Sequence, residues 1–521
     1  MPEEIQMNHT SDEAKFDLII NGQRRPVVRS FPVLDPVSQR EIHLAPAADE
    51  NDALAAVNAA EVAFETWRDS TPIERRTIML KAADVMRKRS DELVEAMVLE
   101  TGAKKSWASF NIETCIQLIH EAAAMATQIK GELQQSNSKG VSLADSRMVL
   151  IYHLAEVILT CHQNPGTIAM IFKEPCGVVL GIAPWNAPII LGTRAFVIPI
   201  ICGNTAVLKA SEASPYTQYL IVDSFLKAGL PDGVLNYICC PRNMAPSVTE
   251  TMVAHSAVQR VNFTGSTAVG RLIATLCAKY LKPAVLELGG KAPMVILKDA
   301  NLEEAVRAAA FGAMQHQGQI CMSTERIIVH KSVFSKFAEL FAIKINSMRA
   351  ADPSKDGTAA LGSLINPVAG NRVKDLVTDA LAKGAKLRGG KVGFEGAVVQ
   401  PIVLEGVSKG MDIYYQESFG PVVSLFEFET TQEAISLAND TEYGLVCSVF
   451  SENISDALAV GRKIRSGSCH INGATVHDEP HLPLGGQKAS GYGRFGGSAC
   501  IDEFTEDRVV TVNTLSGFFP I

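Results

Sequence analysis

GVVLGIAPWNAP (177–188) is a short apolar run that halts at Pro184 and places a tryptophan and an asparagine on the loop beyond it. Four runs of similar texture follow: TAVLKA (205–210), VLNYICC (234–240), QRVNFTG (259–265) and AVLELGG (284–290). Helical stretches separate the middle ones, such as 215–228, which opens with Pro215 at a first-turn position and stops at Gly229. Strands alternating with helices predict a parallel, doubly wound sheet. The fold class is therefore α/β, with ligands bound beyond the carboxyl ends of the strands.

A second alternating block begins at Pro293, with strands expected near 293–297, 325–330 and 422–428. Upstream, FDLIINGQRRPVV (16–28) carries a hairpin signal, Asn21-Gly22 between alternating flanks. Residues 51–67 and 74–89 read as amphipathic helices. Ser90 is the expected N-cap of a third that runs to Glu100 before Gly102, and an Ala-rich fourth extends to about residue 129. DRVVTVNT (507–514) is a strand with no hairpin partner beside it; such a strand pairs elsewhere, often across a subunit interface.

At 521 residues the chain is too long for one hydrophobic core, so two or three domains are expected. A net charge of −8 argues against nucleic acid or an anionic membrane as the main partner. Eleven cysteines with no C-x-x-C spacing read as reduced thiols in a cytoplasmic setting, with no disulfide framework and no metal site. MPEEIQMNHTSDEAKF (1–16) is an acidic tail, expected to be disordered, without the apolar core of a secretory signal. No run reaches 18 apolar residues; 191–208 is broken by Arg194 and Pro199.

Chemistry gathers at the strand ends. GVVLGIAP leads to Trp185 and Asn186, a side-chain amide on a loop. TAVLKA leads to Lys209, Ser211 and Glu212: a cation for phosphate or ribose, and an acid able to accept from a ribose 2′-hydroxyl. QRVNF leads to Thr264-Gly265-Ser266-Thr267 at the start of AVGRLIATL, a strand–Gly–helix junction suited to a pyrophosphate, although a plain turn reads equally well. AVLELGG places Glu287 just inside a glycine pair, where a merely solvated carboxylate is the bland alternative. Downstream, GQIC (318–321) presents Cys321; one nucleophile among eleven cysteines gives any of them a claim of about one in ten.

PWNAP (184–188), VLKASE (207–212), FTGSTAVG (263–270), LELGGK (286–291), GQIC (318–321) and ESFGPV (417–422), in this order, resemble the aldehyde dehydrogenase superfamily over almost the whole chain, and LGGQKASGYGR (484–494) belongs to the same pattern. APWNAPIILGTRA and INGATVHDE (471–479) are most similar to the salicylaldehyde and vanillin dehydrogenases, which act on aromatic aldehydes. The resemblance implies an aldehyde dehydrogenase-like fold: a Rossmann-like NAD-binding domain (17–132 and 176–289), an α/β catalytic domain (290–489), and a small β oligomerisation arm (133–175 and 490–521) of a homodimer or homotetramer. It implies Cys321 as the nucleophile, Asn186 and the Cys321 N–H as oxyanion donors, and Glu287 as the base for thioester hydrolysis. Ile182, Trp185, Lys209, Ser211, Glu212, Gly265, Ser266, Gly270, Leu288, Glu417 and Phe419 fall on the cofactor positions. Glu212 favours NAD over NADP, because a carboxylate repels a 2′-phosphate.

Three departures stand out. Phe495 follows Arg494 where many relatives have a second carboxylate, which leaves Glu287 more of the base role. His477-Asp478-Glu479 reads either as an extra acid–base group or, more simply, as a loop at the mouth of the substrate funnel. Residues 141–163 interrupt a stretch that resembles the family's two-stranded excursion when Gly140 is joined to Asn164. The segment is a whole number of codons, and its ends can be encoded as splice donor and acceptor. It reads as a retained in-frame intron, against a genuine insertion forming an extra helix; the mature transcript decides. The functional rivals are an aliphatic aldehyde or semialdehyde dehydrogenase and a non-catalytic descendant. No second cationic motif for a substrate carboxylate is identifiable.

Overall fold

A computed structural model describes residues 14–135 and 167–513. Its first sheet is built on five parallel strands: β1 (Val178–Ile182), β2 (Thr205–Lys209), β3 (Leu235–Ile238), β4 (Val258–Thr264) and β5 (Ala284–Glu287), in the order β3-β2-β1-β4-β5. β1, β2 and β3 are buried along their whole length, as strands covered by helices on both faces must be. The hairpin Leu18–Ile20/Gln23–Arg25 extends one edge beside β3, with Asn21 and Gly22 both at positive φ (53° and 70°) as the Asn-Gly turn requires. Gly491–Tyr492 closes the other edge antiparallel to β5.

The second sheet comprises β6 (Ala292–Ile296), β7 (Thr324–His330), β8 (Lys386–Gly390), β9 (Ile402–Glu405), β10 (Val422–Phe428), β11 (Val446–Phe450) and β12 (Ser468–Ile471), in the order β8-β9-β10-β7-β6-β11-β12. All its pairs are parallel except β8–β9. Its β6, β7 and β10 coincide with the three expected strands. A third sheet joins Glu132–Gln135, Thr167–Pro175 and Thr505–Asn513.

Several expectations need correction. The C-terminal strand pairs within its own chain, antiparallel to Thr167–Pro175 over nine residue pairs; the long sequence separation hid the partner. Residues 491–504 do not join the arm: Gly491–Tyr492 enters the first sheet, and Cys500, Ile501 and Phe504 pack into its core. The acidic tail ends earlier than residue 16, because Phe16 is buried with its ring 4.9 Å from that of Tyr219. Ser90 is not an N-cap. Helices Pro72–Lys88 and Ser90–Thr101 abut with only Arg89 between them, so the Ser90 hydroxyl donates back to the Arg87 carbonyl at 2.7 Å. The segment 141–163 lies outside the described residues. Among the described residues no helix is long and apolar enough to cross a membrane.

Candidate active site

From β1 the chain runs to β2 and β3 on one flank of the sheet, then crosses to β4 and β5 on the other. The reversal opens a crevice beyond the carboxyl ends of β1 and β4. Register brings the expected residues to one level: Ile182 lies opposite Lys209 and Phe263, and Thr264 opposite Glu287.

The residues around this crevice fit a dinucleotide. Ser266 caps helix Thr267–Lys279, its hydroxyl accepting from the Val269 N–H, so the positive end of that helix faces the crevice. Gly265 donates to the Glu287 carbonyl at 3.0 Å, and a Cβ there would come within 2.6 Å of the Phe263 ring. Lys209 is buried, yet its ammonium makes only a long 3.4 Å bond to the Ala210 carbonyl, which leaves donors for a ligand oxygen. Glu212 follows, partly exposed. Ser211 serves the turn itself: its N–H donates to Gln218 and its hydroxyl accepts from the Ala213 N–H. A Cβ on Gly270 would collide with Leu288, so this glycine sets the packing of helix on strand end rather than lining the crevice.

The loop 417–420 faces the other side. Glu417 accepts from the Gly290 N–H at 2.8 Å, and burial, reinforced by Glu325, pushes its carboxyl up to about 7. Phe419, at a positive φ of 47°, meets the Trp185 ring edge-on at 5.7 Å. Glu325 anchors this loop by accepting from the Ser418 and Phe419 N–H groups while paired with the buried Lys291.

Cys321 lies between the 3-10 turn Gln315–Gly318 and β7. His316, Gln317 and Gly318 all have positive φ, a tight reversal that presents the thiol. The sulfur donates to Glu287 Oε1 at 3.4 Å. Burial, with the Glu287 charge, drives the thiol well above its usual range, while Arg194 pulls it down. Asn186 is buried and donates from Nδ2 to the Gln319 carbonyl at 2.9 Å; its second N–H remains for a ligand. Cys321, Glu287 and Asn186 share one pocket, walled by Trp107, Phe110, Ile190, Leu191, Ile320 and Val476. Trp107 stacks on Phe110 at 5.3 Å, and its indole N–H donates to the Asn186 carbonyl.

Two things escaped the sequence. Trp107 and Phe110 belong to the fourth N-terminal helix, read there only as scaffold. Arg194 was noted only as a break in an apolar run, yet it is buried in this pocket and bonded to Glu287. The pocket thus holds a cation, but both ends of its guanidinium are directed at carboxylates of the protein, Glu287 and Asp478.

Residues 24–510 match the aldehyde dehydrogenase family. The vanillin dehydrogenase of Pseudomonas fluorescens is 47% identical over 507 residues, covering 97% of this chain and 99% of that protein. The crystal structure of a salicylaldehyde dehydrogenase from Pseudomonas putida G7, complexed with salicylaldehyde, superposes with a TM-score of 0.89 at 39% identity, covering 97% and 99% of the two chains. A betaine aldehyde dehydrogenase from Staphylococcus aureus in complex with NAD+ gives 0.87 at 28% identity, covering 97% and 96%. Sheet order, pocket and full-length likeness agree, and the chain belongs to the aldehyde dehydrogenase family.

Proposed function

We propose that this enzyme oxidises aromatic aldehydes of the salicylaldehyde, vanillin or benzaldehyde type to carboxylic acids, with NAD as acceptor. The observation that carries the reading is a thiol 3.4 Å from a buried carboxylate on the floor of a pocket walled by stacked aromatic rings. In it, Cys321 attacks the aldehyde carbon as a thiolate and forms a thiohemiacetal. The free N–H of Asn186 and the Cys321 backbone N–H hold the oxyanion. A bound nicotinamide dinucleotide supplies the hydride acceptor. Glu287 then activates water against the resulting thioester.

Trp107 and Phe110 favour a flat apolar substrate, and the paired state of Arg194 disfavours a semialdehyde carboxylate. Glu212 beyond β2 supports NAD over NADP, for the electrostatic reason already given. Leu133, Phe172, Val509 and Val512 are exposed on the third sheet and support assembly as a homodimer or homotetramer. The reading carries with it a cytoplasmic enzyme with its cysteines as thiols.

The test is NADH formation with salicylaldehyde, vanillin, benzaldehyde and succinic semialdehyde. Aromatic substrates should give the highest kcat/KM, and Cys321→Ala should abolish turnover with all of them. A preference for the semialdehyde would sink the substrate class; undiminished activity in Cys321→Ala would sink the nucleophile.

A further inference from the structure

Arg194 ends helix Pro188–Arg194 and is 4% exposed. One end of its guanidinium bonds to Glu287 Oε2, the oxygen turned away from the thiol. The other end lies 3.5 Å from Asp478 Oδ2. Its Nε has no partner, and its flat face lies 4.7 Å from the centre of the Phe495 ring. One buried cation therefore serves two carboxylates, one of which touches Cys321.

The Arg194 guanidinium favours negative charge on Cys321, and each carboxylate that shares the guanidinium weakens that pull. When the Cys321 S–H bond breaks, the proton goes to Glu287 Oε1 and the sulfur keeps the electron pair. With Glu287 neutralised, the guanidinium is left to face the new thiolate and stabilises it. Asp478 lies at the other end of the guanidinium and masks part of its charge. Phe495 supplies only a ring face to the guanidinium, and the second acid reaches it from the loop 476–479.

We propose that Arg194 is a positioning residue shared between Glu287 and Asp478, and that Asp478 sets how strongly the guanidinium biases the Glu287–Cys321 pair. The proposal rests on Cys321 as nucleophile and Glu287 as its proton acceptor. The other charged groups are Glu417, which raises the thiol, and His477 and Glu479, which flank Asp478 and bond each other at 2.9 Å.

The experiment is the pH dependence of iodoacetamide alkylation at Cys321, followed on its own peptide by mass spectrometry in the full-length protein. Arg194→Met removes the positive charge, so the alkylation limb moves to higher pH by about one unit. Asp478→Asn unmasks that charge, so the limb moves to lower pH by roughly half a unit. Arg194→Lys falls between wild type and Arg194→Met. A merely structural role moves neither limb, or moves both the same way, and either result overturns the proposal. Should Arg194→Met fail to fold, Arg194→Lys and the near-isosteric Asp478→Asn still decide. Wild-type NADH formation is scored separately: its absence removes the functional reading while the alkylation profiles still test the shared guanidinium.

Discussion

Glu287 has one oxygen on a thiol and the other on a guanidinium, so its side chain has little freedom to turn. Replacing it by glutamine keeps the shape and removes the base. Glu287→Gln is expected to lower kcat by about two to four decades, through both thiol deprotonation and thioester hydrolysis. Stopped-flow mixing should then show NADH formation slowed in the first turnover as well, because the same carboxylate accepts the Cys321 proton. That Cys321, Glu287 and Asn186 belong to one site was an expectation carried by the family resemblance, since a strand end or a glycine-flanked loop by itself left bland readings open for Cys321 and Glu287. The structure lines one pocket with all three. Arg194 was not part of that expectation. A charge in the apolar run 189–201 gains meaning only when the end of β5 and the loop 476–479 are folded against it.

At the scale of elements, the turn before Cys321 is the most exacting. Gly318 has φ +72°, and a Cβ on it would lie 2.1 Å from the Gly420 carbonyl oxygen. Gly318→Ala would strain the backbone and push apart the two loops that carry Cys321 and Glu417. A loss of about 1–3 kcal/mol is expected from the backbone conformation alone, readable as a lower urea midpoint, with aldehyde oxidation falling alongside. The parallel strands of the first sheet were legible as apolar runs between turn signals. β8, β9, β11 and β12 were missed. β8 (KLRGG) and β12 (SCHI) lack a continuous apolar run, and their placement depends on neighbours distant in sequence. The abutting helices at Arg89 show the opposite error, a cap inferred where no gap exists to be capped.

Across the whole molecule, the third sheet stands apart from the two cores. Its outer strands, Glu132–Gln135 and Thr505–Asn513, each pair on one side only among the described residues, and Val509 is 62% exposed. An exposed strand edge with apolar side chains invites another copy. The double variant Val509→Glu, Val512→Glu is therefore expected to shift the protein to a smaller species in size-exclusion chromatography with light scattering, with the isolated active-site geometry unchanged. The C-terminal strand was legible as a strand without a neighbouring hairpin partner. Its partner was not, because pairing across more than three hundred residues leaves no local trace.

The short strand Gly491–Tyr492 has a consequence for the birth of the protein. Gly491 lies opposite Glu287, so the proposed base sits on a strand whose outer edge is covered, among the described residues, by a segment made some two hundred residues later. While the ribosome translates the second sheet, that edge has no neighbour and can recruit other nascent chains. Completion of the catalytic strand is thus one of the last events of synthesis, and chaperones that shield bare edges would matter most in that interval.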